Sequence, residues 1–222
     1  MPSRSSPEAS EGWNQLTNMS VFIDGPAGRL EAVIDGPSGL VRAAVALAAP
    51  HPELGGTMQN KLLHEAAKAL AGIGCVVLRF NYRGVGLSGG PWVEGHGARD
   101  DYRAVLDWLE MQHRGLPFWA VGYSFGSWVA MTTGARDDRV SALVGIALPV
   151  ESLDYTLLTE SQKPKFLVQG DYDILSPLPA VQRFYAEMPE PRELVVIEGA
   201  DHTFDGHILE VAEGLTDLLA DF

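Results

Sequence analysis

The feature that most restricts the fold of this chain is a repeated alternation. Short, β-rich apolar runs (Val41–Ala49, Cys75–Phe80, Phe118–Val121, Val140–Ala147) are separated by segments whose apolar residues recur at helical spacing. A strand that is apolar at every position is buried on both faces, and a parallel sheet covered by helices on both sides provides that burial. The intervening segments supply the cover. Thr57–Gly72 places Leu62, Ala66, Ala69 and Leu70 on one side, and Asp101–Gln112 does so with Tyr102, Val105, Leu106 and Leu109. Phe125–Thr133, Ala180–Met188 and a helix from Ile208 onward complete the set, with Phe166–Gln169 and Leu194–Ile197 as further strands. Ahead of them, Ser20–Asp24 and Arg29–Asp35, joined by Gly-Pro-Ala-Gly, read as an antiparallel hairpin at one edge.

The expectation is an α/β fold: a mostly parallel central sheet of about eight strands flanked by helices on both faces. No linker divides residues 20–222, which are expected to form one domain. Residues 1–19 are rich in polar residues, lack an apolar signal-peptide core, and are expected to be a flexible tail.

Charge narrows the partners. Sixteen Lys and Arg against 29 Asp and Glu give a net charge of −13. Such a chain is repelled by phosphate backbones and anionic membranes, so neither nucleic acid nor membrane is an expected partner. No run approaches the roughly 18 apolar residues of a membrane helix, and a cytoplasmic protein is expected. The single cysteine, Cys75, excludes an internal disulfide and a cysteine-based zinc site, and it reads as a buried small hydrophobe.

Three glycine-rich motifs compete for the chemistry. Gly84-Val85-Gly86-Leu87-Ser88-Gly89 fits a dinucleotide fingerprint, but Gly90-Pro91 follows where a helix must open at once. The other two both fit G-x-S-x-G and are centred on Ser88 and Ser124. A nucleophile elbow needs a strand entering the turn and a helix leaving it. Ser124 has Phe-Trp-Ala-Val ahead of it and Phe-Gly-Ser-Trp-Val-Ala-Met behind, whereas Ser88 has neither and reads as a loop serine. Gly122 and Gly126 flank Ser124 where a Cβ is expected to collide as strand and helix pack.

A serine hydroxyl needs a base, and the base needs an orienting carboxylate. The chain order for this elbow is Ser, then Asp or Glu, then His. Only His202 and His207 follow Ser124, and His202 comes off the end of a strand while His207 opens the last helix. His51, His64, His96 and His113 precede the elbow and break the order. After Phe166–Gln169 two carboxylates compete, Asp171 and Asp173, and spacing alone does not decide between them. An oxyanion hole takes the N–H after the nucleophile, here Phe125, plus one from the loop Ala49-Pro50-His51-Pro52-Glu53-Leu54-Gly55-Gly56. Pro52 has no N–H, which leaves Glu53 or Leu54. Trp92, Trp119 and Trp128 are candidates for either pocket wall or core.

Taken together, HPELGGTMQNK, LRFNYRGVGLSGG, GYSFG, GDYDILSP and GADHTF, each placed after a strand, resemble the alpha/beta-hydrolase superfamily over roughly 200 residues. The resemblance is to small bacterial members near dienelactone hydrolases and acyl-ester hydrolases, although Ser124 stands where dienelactone hydrolases proper carry cysteine. It implies Asp173 as the acid, three residues past Gly170, and Glu53 as the second oxyanion donor, two past His51. About 16 residues bridge Val150 to Lys165, too few for a large lid, so an open site is expected. The resulting expectation is a serine hydrolase acting on a carboxylic ester or related acyl compound through Ser124, His202 and Asp173. It implies no metal or organic cofactor and a small-molecule acyl substrate, and a homodimer is compatible with it. Peptidase, thioesterase or peracid chemistry can run on the same residues, and a non-catalytic binding module can retain the same fold.

Overall fold

The computed structural model describes residues 18–37 and 39–222. Residues 1–17 of the expected tail lie outside the described residues, and Met19 already belongs to the first strand. Eight strands form one sheet: β1 (Met19–Gly25), β2 (Gly28–Asp35), β3 (Ala43–Ala48), β4 (Cys75–Phe80), β5 (Phe118–Tyr123), β6 (Val140–Ile146), β7 (Lys165–Gly170) and β8 (Arg192–Ile197). Their spatial order is β1-β2-β4-β3-β5-β6-β7-β8. The β1–β2 and β2–β4 pairs are antiparallel and all others are parallel. The fold is therefore the mostly parallel sheet that the alternating pattern predicts.

Six helices alternate with the strands: α1 (Lys61–Gly72), α2 (His96–Gln112), α3 (Phe125–Gly134), α4 (Leu157–Glu160), α5 (Leu178–Glu187) and α6 (Ile208–Leu219). Helix α1 packs on α6, and α2 packs on α3, giving a layer on each side of the sheet. Strands β3, β4, β5 and β7 are buried at every position, which cover on one face alone cannot achieve. No helix among the described residues is long and apolar enough to cross a membrane.

Helix α5 opens at Leu178, two residues before the expected Ala180, and two other helix starts differ by more. Helix α1 opens at Lys61 instead of Thr57, because the Asn60 side chain accepts from the N–H groups of Leu62 (2.9 Å) and Leu63 (3.3 Å) and caps it there. Helix α2 opens at His96, five residues ahead of the expected start at Asp101. Its first turn buries Gly97 and Ala98, which are too small to register as a hydrophobic period.

The connection after β4 is fastened by the charged and polar residues of LRFNYRGVGLSGG. The Arg79 guanidinium is buried, donating to Asp35 (2.7 and 3.2 Å) and to the Met58 carbonyl (2.8 Å). Arg83 donates to the fully buried Asp101 carboxylate through Nε (3.0 Å) and a terminal nitrogen (2.7 Å). Asn81 accepts from the Met58 N–H and donates to Glu31, both at 2.8 Å. Ser88 donates to the Asn81 carbonyl (2.8 Å) and accepts from the Glu31 N–H (2.9 Å), so the second G-x-S-x-G serine is a buried tie within this loop. With both its lone-pair and proton partners taken, it has no free role as a nucleophile. Gly86, at φ 57°, passes so close that a Cβ there would lie 2.5 Å from the Glu31 carboxylate.

Candidate active site

The parallel strands all point their carboxyl ends to one edge, and β5, β7 and β8 each deliver one polar side chain there. Ser124 sits between the end of β5 and the start of α3, at φ 54° and ψ −123°. A positive φ in a residue with a Cβ costs about 1–3 kcal/mol, and it holds here because the surroundings leave no alternative. A Cβ on Gly122 would lie 2.0 Å from the Gly126 carbonyl oxygen, and one on Gly126 would lie 2.3 Å from that of Ala48. Both clashes are with backbone, so the strand–turn–helix can close this tightly only with glycine at both positions. Gly126→Ala should therefore lower unfolding free energy by about 3 kcal/mol or more, at the upper end of overpacking costs. Urea denaturation of the variant beside the parent checks this.

The turn is tied down from inside. The Ser124 N–H donates to the Ile146 carbonyl (2.8 Å), and Ser127 Oγ donates to the Ser124 carbonyl (2.6 Å). Since the Ser127 proton is engaged, Tyr155 donates its hydroxyl proton to Ser127 Oγ (2.8 Å). Burial raises the Tyr155 pKa far above the ordinary phenol value, so this donor stays protonated.

Asp173 is buried just past β7, and four donors surround its carboxylate. Oδ1 accepts from the N–H groups of Leu175 and Ser176, both at 2.8 Å. Oδ2 accepts from Gln169 Nε2 (2.9 Å) and from His202 Nδ1 (2.7 Å). An ionised carboxylate has no proton to give, so Nδ1 carries the imidazole hydrogen and Nε2 presents a lone pair. That lone pair faces Ser124 Oγ at 2.8 Å. Gly170 allows the strand ends to meet, because a Cβ there would lie 2.3 Å from the Ala200 carbonyl oxygen. Tyr123 Oη donates to the His202 carbonyl (2.8 Å), tying the loop that carries the imidazole to the strand that carries the serine.

The competing aspartate does something else. Asp171 Oδ1 accepts from the Gly199 N–H at 2.7 Å, which fastens the turn after β8. His207 is paired with Glu210 at the start of α6, away from the cavity. None of Trp92, Trp119 and Trp128 lines the cavity; Trp92 packs against His51 and Phe125, and Trp119 against Phe222.

The expectation for Glu53 needs correction. Pro52 to Leu54 form a short 3-10 turn capped by His51, whose Nδ1 captures the Glu53 N–H at 3.2 Å. Leu54 and Gly56 donate to the His51 carbonyl (3.1 and 3.0 Å), and Gly55 to that of Pro52 (2.9 Å). Pro50 and Pro52 have no N–H. Among the described residues, the His51 N–H is thus the one donor of this 50–56 loop that the loop itself does not engage. No signal in the sequence could have found it, because the choice depends on which way each peptide turns.

Ser124, Phe125, His51 and His202 line a cavity of about 590 Å³. Its apolar walls include Leu54 and Leu175, both largely exposed, and Leu153. Between β6 and β7 the only helix is the single turn α4, so nothing large covers the mouth.

A serine on a strained strand–helix turn, facing an imidazole held by a buried carboxylate, at the carboxyl edge of a mostly parallel sheet, is the arrangement of an α/β hydrolase. A profile described as the alpha/beta hydrolase fold matches residues 54–162. The chain is 38% identical to a solved alpha-beta serine hydrolase homologue from Coxiella burnetii, with 91% of this chain and 98% of that one covered and a TM-score of 0.86. A serine hydrolase without a lid from Xanthomonas campestris is 30% identical, with 90% and 93% covered and a TM-score of 0.84. An uncharacterized protein of Rickettsia prowazekii is 32% identical over 208 residues, 90% of this chain and 87% of that one. The chain belongs to the alpha/beta-hydrolase superfamily, among the serine hydrolases that carry no lid.

Proposed function

We propose that the protein hydrolyses a carboxylic ester or related small acyl compound, with Ser124 as nucleophile, His202 as general base and acid, and Asp173 as the orienting carboxylate. The observation that carries this reading is the unbroken relay from Ser124 Oγ to His202 Nε2 (2.8 Å) and from His202 Nδ1 to Asp173 (2.7 Å). Ser124 Oγ attacks the acyl carbon as its proton passes to Nε2. The tetrahedral intermediate expels the alcohol, which leaves with that proton, and water repeats the sequence on the acyl-enzyme. Phe125 N–H at the start of α3 and His51 N–H across the cavity are the two donors for the oxyanion. Each donor of this kind is worth roughly 3 kcal/mol of barrier. Asp173 fixes the imidazole tautomer and stabilises the imidazolium.

The open mouth and the walls of Leu54, Leu153 and Leu175 favour a short or externally presented apolar acyl group. Its partner is a small molecule, and the net charge of −13 fits a cytoplasmic enzyme without nucleic-acid or membrane partners. Turnover of p-nitrophenyl esters of increasing chain length, set beside a thioester and a peptide amide, tests the assignment. Ester turnover well above the other two is the expected result, and hydrolysis of none of them overturns it.

The base must be unprotonated to accept the serine proton, so kcat/KM should rise with pH along a single sigmoid. His202→Gln should abolish the sigmoid together with most of the rate. A His202→Gln rate equal to that of the parent enzyme counts against histidine as the base.

Tyr123→Phe removes the tie to the His202 carbonyl while keeping the ring beside the imidazole. It should lower kcat by about tenfold, the equivalent of one hydrogen bond of roughly 1.4 kcal/mol, with little change in KM. Steady-state kinetics on one ester checks this.

A further inference from the structure

Resting on the ester-hydrolase reading above, one side chain in the cavity has no part in the proposed relay or oxyanion hole. Glu94 comes from the loop between β4 and α2 and lines the same cavity as Ser124 and His202. Among the described residues that line this cavity, no lysine or arginine is present, and Glu94 is the sole carboxylate.

The charge on Glu94 is not cancelled by its neighbour. His51 Nε2 lies 3.3 Å from Glu94 Oε1. The same ring accepts the Glu53 N–H at Nδ1, so Nδ1 must present a lone pair and the single imidazole hydrogen sits on Nε2. In this tautomer the ring is a neutral donor, and the carboxylate keeps its full negative charge. The hydrogen bond also fixes where that charge stands, because the His51 ring is itself held edge-on against Phe125, with centroids 4.8 Å apart. Further exposed acids flank lining residues in the sequence: Glu53 beside Leu54 and Asp201 beside His202. Hydrogen bonds from Thr203 hold the Asp201 pKa below the usual carboxylate value, so it stays ionised.

We propose that Glu94 makes this site charge-selective, so that it turns over neutral and cationic acyl compounds and turns away those that carry a carboxylate of their own. A carboxylate-bearing acyl group entering the open cavity meets a like charge held in place by His51, and among the residues lining the cavity there is no lysine or arginine to receive it. An ammonium-bearing group meets the opposite sign at the same place. The selection acts on entry and binding, and it adds no step to the proposed reaction.

The test uses three p-nitrophenyl esters of similar length: the butyrate (neutral), the mono-ester of succinate (anionic) and the 4-aminobutyrate (cationic). Each kcat/KM is taken from initial rates after subtraction of that ester's own uncatalysed reaction, which neighbouring-group attack accelerates in the succinate and 4-aminobutyrate esters. At low ionic strength the neutral ester should exceed the anionic one by about tenfold, and Glu94→Gln should reduce that ratio severalfold. Glu94→Lys should invert it in favour of the succinate. Raising salt should rescue the anionic ester and leave the neutral one nearly unchanged, since only a charge–charge term is screened.

If the ratio in Glu94→Gln and Glu94→Lys equals that of the parent while butyrate is still turned over, the inference is overturned and the hydrolase reading stands. If none of the three esters is hydrolysed by the parent protein, both fail together. The Gln variant keeps an acceptor for His51 on an exposed side chain, so it separates loss of charge from loss of the hydrogen bond.

Discussion

Replacing Ser124 by alanine should abolish ester hydrolysis and covalent labelling by a fluorophosphonate, while Ser88→Ala should leave labelling intact. The expected loss in kcat is on the order of a million-fold, as for removal of the nucleophile in a serine protease. Two contrasting environments motivate the comparison. Ser124 Oγ is partly buried at the cavity wall and faces an imidazole lone pair. Ser88 Oγ is buried between the Asn81 carbonyl and the Glu31 N–H. Ser88→Ala should act on stability instead, at about 1–3 kcal/mol, because it leaves two buried backbone groups short of a partner. Mass spectrometry of the labelled protein reads the first effect, and thermal denaturation reads the second. Labelling that persists in folded Ser124→Ala protein overturns the assignment.

Asp173→Asn should cut kcat by up to about 10,000-fold, the size of the effect when a serine protease loses this carboxylate. Four donors converge on Asp173, two on each oxygen. An amide must turn its NH2 toward one of these pairs, so donor faces donor whichever way it flips. Turning it toward His202 drives the imidazole into the wrong tautomer, with its hydrogen pointing at Ser124. Turning it toward the Leu175 and Ser176 N–H groups breaks the turn that carries the side chain. Loss of stability should therefore accompany the loss of rate. Asp171→Asn keeps an oxygen for the Gly199 N–H and should cost about 1 kcal/mol or less, with kcat almost unchanged. Measuring kcat and melting temperature for both variants separates the two residues. A dead Asp171→Asn beside an active Asp173→Asn reverses the third assignment.

Much of the fold was legible because its signal is local. Runs apolar at every position, such as Ala43–Ala48 and Phe118–Val121, can be little other than central parallel strands. Ser124 was legible because strand, turn and helix are contiguous around it, and His202 because only two histidines follow the elbow. Asp173 is different: spacing left it level with Asp171, and the resemblance alone favoured it. In the structure the two part company because Asp173 folds back on its own turn while Asp171 reaches across to Gly199. The oxyanion loop was misread for a related reason. Which N–H of this loop stays unengaged depends on how each peptide turns and on the His51 ring capturing the Glu53 N–H, which no periodicity encodes. Glu94 left no trace either, since its contact is with His51, which lies 43 residues away in the chain.

The position of β8 at the rim of the sheet sets how the molecule comes apart. It hydrogen-bonds to β7 alone, and unlike the interior strands it is only partly buried along most of its length. A strand with one hydrogen-bonded neighbour and few buried side chains is expected to open at a lower free energy than the strands of the core. The imidazole hangs from the loop just beyond this strand, whereas the serine hangs from β5, in the middle of the sheet. Local opening of β8 should therefore withdraw the proposed base while the elbow stays folded. Enzymatic inactivation on warming would then run ahead of the loss of helical and sheet signal, and amide exchange in β8 would track the inactivation while exchange in β5 follows the global transition.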